Sequence, residues 1–204
     1  MKNSQRGYSL IELSIVLAII AVVIGGAITG VQAILQSNNV NKTISTTNKS
    51  VGAITAKLLR DNTYANATTI NLSSTAMGIW DPKAVTAGGL PAAAVTNEFG
   101  GRVHVAPLAA ATYGLAINQG YIYTLTGIPT ASCTDLFLGL ESVALAAAVN
   151  NQLGTAVAQA PTALSGTVLK APPNTLPNSS TVSQACQSAA DTGNTTITLL
   201  IPRS

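Results

Sequence analysis

Between Leu13 and Ile28 the chain carries no charge, and Ser14 is its only polar side chain. Counted from Tyr8, the apolar run is about 21 residues, enough for a helix to cross a hydrocarbon core of roughly 30 Å. Beyond it the pattern changes. Val40, Ile44, Val51, Ile54 and Leu58 recur on one face of a 3.6-residue helix, with Asn41, Lys42, Ser45, Asn48 and Lys49 on the other. No proline precedes Pro82, and Asp61-Asn62 is a plausible stop. One helix is therefore expected from Tyr8 to Arg60, about 80 Å long at 1.5 Å per residue. Its first half is apolar all round and its second half one-sided, so the two halves require different surroundings.

After residue 61, Thr, Asn, Gly and Pro become frequent and apolar runs shorten. Glu98 to Val105 reads as a turn feeding an alternating strand. Tyr113–Ile117, Asn118-Gln119-Gly120 and Tyr121–Leu125 read as a hairpin with a Gly-containing loop. Ser132-Cys133-Thr134-Asp135 has capping-box spacing ahead of Leu136, Leu140, Val143 and Ala147, which predicts a helix to about Asn150. Thr181-Val182-Ser183-Gln184 marks a second helix start, with Cys186 in its first turns. Pro161 to Ser180 reads as an exposed loop, and Thr196–Leu200 as a last strand returning to the sheet. Strands grouped apart from helices predict an α+β fold: a long N-terminal helix packed on an antiparallel sheet.

Composition narrows the class. Only 8% of the 204 residues are charged and 47% are apolar, too apolar for disorder and too sparsely charged for an ordinary cytosolic enzyme. The net charge of +3 rests on the N-terminus: without Lys2 and Arg6, eight basic side chains face seven acidic ones. With no basic patch interleaved with aromatics, nucleic-acid binding is not expected. Cys133 and Cys186 are not a Cys-x-x-Cys pair and His104 is the single histidine, so no metal site is expected. In an exported protein the two cysteines read as one disulfide, with two buried thiols as the alternative.

The inventory for catalysis is poor. Asp61, Asp81, Glu98, Asp135, Glu141 and Asp191 share no motif, and there is neither a Gly-x-Ser-x-Gly elbow nor a phosphate-binding glycine loop. His104 reads as a strand-face residue and Trp80-Asp81-Pro82 as a core anchor at a turn. No enzyme activity and no cofactor are expected.

Against that background the N-terminus stands out. Lys2 and Arg6 precede Gly7-Tyr8-Ser9-Leu10-Ile11-Glu12-Leu13, and Glu12 places a carboxylate inside an apolar segment. A charge near the bilayer interior costs about 2.5–3.5 kcal/mol on insertion scales, which marks it as functional. A secretory signal peptide is a poor fit, because the apolar run is too long and no Ala-x-Ala site closes it. The basic residues ahead of the span place the N-terminus in the cytoplasm. Gly26 and Gly30 form a Gly-x-x-x-Gly, a spacing that lets helices approach in lipid or simply adds flexibility.

This segment resembles the N-terminus of the type IV prepilins. The resemblance implies cleavage between Gly7 and Tyr8 by a prepilin peptidase, N-methylation of Tyr8, and retention of Glu12 to pair with the amine of a neighbouring subunit during assembly. Two features depart from the common pattern: Tyr8 in place of Phe or Met, and Thr29 where many members carry a proline. It also implies a division into a leader (1–7), a membrane and filament-core helix half (8–35), an amphipathic half (36–60) and a globular head (61–204). The Gly100-Gly101-x-Val-x-Val strand, the approach from Pro129 to Cys133 and the late Cys186 resemble the type IVb and conjugative thin-pilus pilins. There the two cysteines bound a surface-exposed segment, here 133–186.

The implied function is a structural subunit that polymerises into extracellular filaments for adhesion, aggregation or conjugation. Its implied partners are further copies of itself, the peptidase, inner-membrane assembly machinery and a receptor on a host or recipient cell. The precursor would sit in the inner membrane with its head in the periplasm. A minor pilin or secretion pseudopilin shares the same N-terminus, and a membrane-anchored enzyme or sensor is the reading from another class.

Overall fold

The computed structural model describes residues 10–59, 63–68, 77–86, 94–150, 161–173, 177–189 and 194–203. They fall into two units, one ending at Asn38 and the other beginning at Asn39. Helix α1 runs from Leu10 to Leu58, matching the two-regime pattern at its described ends.

In the first unit every large aliphatic side chain of α1 lies open, from Ile20 at 46% exposure to Leu10 at 86%. The hydroxyls within this greasy sequence bond to their own helix. Ser14 Oγ donates to the Ile11 carbonyl at 2.8 Å and Thr29 Oγ1 to that of Gly26 at 2.9 Å. Such back-bonding lets a hydroxyl sit among apolar neighbours without water. The helix is long and apolar enough to cross a membrane, and none of its most apolar stretch is buried.

The second unit holds the rest of α1 and a seven-stranded sheet in the order β1-β2-β3-β4-β7-β5-β6. The strands are β1 (Val85–Thr86), β2 (Ala94–Thr96), β3 (Arg102–Pro107), β4 (Gly120–Pro129), β5 (Ala146–Asn150), β6 (Thr167–Lys170) and β7 (Asn194–Pro202). Every described pairing is antiparallel. Helix α2 (Thr130–Leu140) follows β4 and continues into a 3₁₀ turn at Glu141–Val143; helix α3 (Ser179–Ser188) precedes β7. The main core joins Val51, Ile54 and Leu58 of α1 to Tyr121, Tyr123, Ile197 and Leu199 of the sheet and to Leu136 and Phe137 of α2. A smaller cluster of Leu108, Ile122, Ala146 and Leu200 lies on the sheet's second face. The last strand returns to the sheet as expected, and it enters at the centre, between β4 and β5.

Several local expectations are corrected. Tyr113–Ile117 is not a strand: Tyr113 and Gly114 both take positive φ, 50° and 78°. Thr112 and Leu115 close on each other with reciprocal backbone bonds. Two successive positive φ angles make a tight turn, which an extended strand cannot contain. β4 therefore pairs with β3 and β7 instead of with this segment.

The helix expected to reach Asn150 ends at Leu140, and Ala146–Asn150 is strand β5. Alanine favours a helix by only tenths of a kcal/mol per residue. Five register pairs with β7 and burial of Ala147 and Val149 against the main core outweigh that preference. The capping box fails for the same helix, because Pro129 is its N-cap and Ser132 is a buried interior residue. In α3 the cap is Asn178, whose Oδ1 accepts from the Thr181 N–H at 2.8 Å, so Cys186 falls near the end of the helix. The loop expected over Pro161–Ser180 contains β6, paired to β5. β3 is buried at four successive positions, Val103 to Ala106, since both faces of the sheet are covered there.

Candidate functional site

The sequence singles out the N-terminal segment, and α1 carries it. Glu12 lies in the first described turn of the helix and is exposed. Ile11, Leu13, Ile15 and Val16 surround it in sequence, all about half or more exposed. The expected cleavage and methylation positions, Gly7 and Tyr8, lie outside the described residues. At Gly26 and Gly30 an added Cβ meets nothing within 4 Å, which leaves backbone open along one stripe of the helix. The arrangement offers an extended apolar surface with one carboxylate near its N-terminal end.

In the second unit a seam of hydroxyls binds α1 to the sheet. Thr43, Thr47 and Ser50 are buried on the helix face that also presents Val40, Val51 and Ile54. Ser50 Oγ donates to the Thr47 carbonyl at 2.9 Å and lies 3.0 Å from Tyr123 OH. A serine hydroxyl has one proton, so Tyr123 is the donor between the two. Tyr121 OH donates to the Val51 carbonyl at 3.3 Å, with Thr55 Oγ1 at 3.4 Å. Tyr64 meets Tyr121 edge to face, ring centroids 5.3 Å apart. Burial pushes both the Tyr121 and Tyr123 phenols up, partly offset by their hydroxyl partners. Sequence reading missed these helix hydroxyls because it looked for aliphatic residues alone. Their signal was present: 43, 47, 50, 54 and 58 follow the same 3.6-residue stripe.

Cys133 of α2 and Cys186 of α3 are bonded, with Cα atoms 5.9 Å apart, so the two helices are tied at buried positions. The bracketed segment is part core and part surface. It includes buried β5 residues as well as the exposed Thr162, Ala163 and Pro172-Pro173. His104 on β3 lies opposite Thr124 on β4, which lies opposite Thr198 on β7. Burial, helped by the nearby positive charge of Arg102, pushes the His104 imidazole down. Trp80 is buried in the core, as its place before the Asp81-Pro82 turn predicts. Among the described residues no three His, Cys, Asp or Glu side chains gather as a metal site.

Residues 2–28 match the prokaryotic N-terminal methylation motif. The fold aligns with TcpA, a type IV pilin from Vibrio cholerae El Tor, at a TM-score of 0.52 and 19% identity over 80% of this chain and 98% of that one. The chain has the N-terminal motif and the fold of the type IV pilins. It is also 30% identical over 135 residues to the major structural subunit of the bundle-forming pilus from Escherichia coli O127:H6, and equally to that from strain O111:H-. That alignment covers 66% of this chain and 65% of the relative, a little under two thirds of the relative's length.

Proposed function

We propose that the chain is a structural subunit of a type IV pilus, made as a membrane-anchored precursor and assembled into extracellular filaments. The observation that carries this reading is the bare apolar surface of α1 inside a methylation motif, with Glu12 in its first described turn. An aliphatic surface of this extent is tolerated in lipid or against other copies of itself, and in water it aggregates. A bundle of α1 helices replaces lipid with protein, and the open stripe at Gly26 and Gly30 favours close approach. The likeness to a bundle-forming pilus subunit supports the same conclusion.

On this reading a prepilin peptidase cuts between Gly7 and Tyr8 on the cytoplasmic side and the new Tyr8 amine is methylated. Residues 8–35 then form the filament core, 36–60 join it to the head, and the head of 61–204 starts in the periplasm. Inside a low-dielectric bundle an isolated carboxylate is strongly disfavoured, and an ammonium from an adjacent copy relieves it. Glu12 is assigned that pairing. The role is structural, and no catalytic group is assigned.

Glu12→Ala tests the reading. The variant should insert in the membrane at normal levels yet yield no filaments in negative-stain electron micrographs. Abundant pili from Glu12→Ala would remove the assembly role. Mass spectrometry of the mature protein should find a chain beginning at methylated Tyr8, and an intact Met1 would point to an ordinary anchor.

A further inference from the structure

Asp81-Pro82 is the single Asp-Pro step of the chain, and it lies on the stretch that joins α1 to the sheet. α1 and Trp80 precede it; all seven described strands and helices α2 and α3 follow it. No disulfide spans it, because Cys133 and Cys186 both lie on the later side. A cut at this bond leaves no covalent tie between the apolar helix and the sheet.

The bond is open to water on one side and pinned on the other. Asp81, Pro82 and Lys83 are exposed, while Trp80 is buried in the core. The turn holds two groups of Asp81 at once. Its carbonyl oxygen accepts from the Ala84 N–H at 2.9 Å, and its side-chain Oδ1 accepts from the Lys83 N–H at 2.9 Å. The first bond aims a donor at the oxygen on which negative charge grows when the carbonyl carbon is attacked. The second folds the carboxyl towards the C-terminal side of its own residue, where the Asp81-Pro82 peptide lies. One held arrangement then replaces a search through rotamers.

We infer that Asp81-Pro82 is a self-cleavage site in mild acid, where the sheet is severed from α1 yet stays seated on it. With Oδ1 held, carboxylate Oδ2 attacks the Asp81 carbonyl carbon and closes a five-membered anhydride ring. The C–N bond to Pro82 breaks, and its electron pair leaves on the proline nitrogen. That nitrogen takes protons from solvent and becomes the ammonium N-terminus of Pro82. Water then opens the anhydride and returns two protons, restoring the side chain and leaving a free α-carboxylate. The net change is hydrolysis of one peptide bond. Proline suits the step because its tertiary amide nitrogen leaves as a basic secondary amine, so the reaction quickens as protons become available. After the cut Val51, Ile54 and Leu58 remain in the core, and Tyr121 OH remains on the Val51 carbonyl at 3.3 Å. Lys42 stays paired with Glu98 at 2.8 Å. The cut concerns the link between helix and sheet and is independent of the filament-subunit reading.

The full chain in detergent micelles is held at pH 4 and at pH 7 and followed by denaturing gel, mass spectrometry and size exclusion. At pH 4 two fragments should accumulate, the later one beginning at Pro82, while size exclusion still finds one particle. At pH 7 the chain should stay whole. Asp81→Glu enlarges the ring and Pro82→Ala supplies a poorer leaving group, so each should slow the cut by at least about tenfold. Both positions are exposed; if one variant loses the wild-type circular dichroism, the other decides. The same chain at pH 4 in guanidinium chloride, with the turn dissolved, should be cut at least about threefold more slowly. Absence of a new Pro82 N-terminus overturns the inference, as does cutting of the folded variants at the wild-type rate. Equal or faster cutting in guanidinium, or unfolding before fragments appear, assigns the reaction to the unfolded chain and overturns it too. Fragments that part on size exclusion overturn the retained seating.

Discussion

Tyr123 and Ser50 meet hydroxyl to hydroxyl at 3.0 Å inside the seam between β4 and α1, with the serine proton already committed to the Thr47 carbonyl. The two partners are therefore not equivalent. Ser50→Ala strands a buried phenol donor, a loss of about 1–3 kcal/mol, whereas Tyr123→Phe leaves Ser50 still donating and costs about 1 kcal/mol. Thermal or denaturant unfolding of the two variants should rank Ser50→Ala as the more damaging. The reverse order would mean that the proton runs the other way.

The buried phenols also predict alkaline sensitivity. Burial raises Tyr121 and Tyr123 above the ordinary tyrosine value, so the folded state keeps these protons when the unfolded chain has begun to lose them. Their stabilising contribution is present below about pH 10 and declines above it, by about 1.4 kcal/mol per pH unit for each tyrosine. His104 acts at the other end. Its folded value is lowered by burial and by Arg102, so the unfolded chain takes up a proton first as pH falls. Stability should fall below about pH 6.5. Denaturant midpoints measured from pH 5 to pH 11 should trace both declines, and His104→Asn should flatten the acid side alone.

Among the described glycines, Gly101 leaves the least room for a side chain. A Cβ there would stand 1.7 Å from the Thr126 carbonyl oxygen. A backbone atom cannot rotate away as a side chain can. Gly101→Ala should therefore cost more than about 3 kcal/mol or displace the β2–β3 turn. Gly26→Ala, with nothing near its added Cβ, should leave head stability unchanged, and equal melting temperatures for both variants would refute the close approach.

The Cys133–Cys186 bond closes a separation of 53 residues, which in the chain-entropy account stabilises by roughly 4 kcal/mol. Cys133→Ala with Cys186→Ala should lower the unfolding midpoint of the purified protein and its resistance to protease. An unchanged melting curve would show the bond to be dispensable for the head.

Legibility varied along the chain for physical reasons. α1 was readable because its signals are local: no proline interrupts it, and its apolar stripe repeats every 3.6 residues from Val40 to Leu58. Asn178 capping α3 was overlooked in favour of Thr181, since both are good caps and only the accepted Thr181 N–H separates them. β5 was misread because an alanine run has no period of its own. Its pairing with β7 joins residues about fifty positions apart, a relation that no local window contains. The turn at Tyr113-Gly114 was misread for the opposite reason, since alternating apolar residues imitate a strand until the positive φ angles are known.

By itself the amino-acid order determined the long N-terminal helix, its membrane-length apolar half, the placement of Glu12 within it and the α+β class of the head, because each follows from spacing between near neighbours. Only tertiary structure decided which strands lie side by side, that β7 enters between β4 and β5, and that Ser50 meets Tyr123 while Thr43 and Thr47 are buried on the same helix face. These depend on distant segments competing for the same backbone partners and the same buried volume, and that competition is settled by the whole head at once.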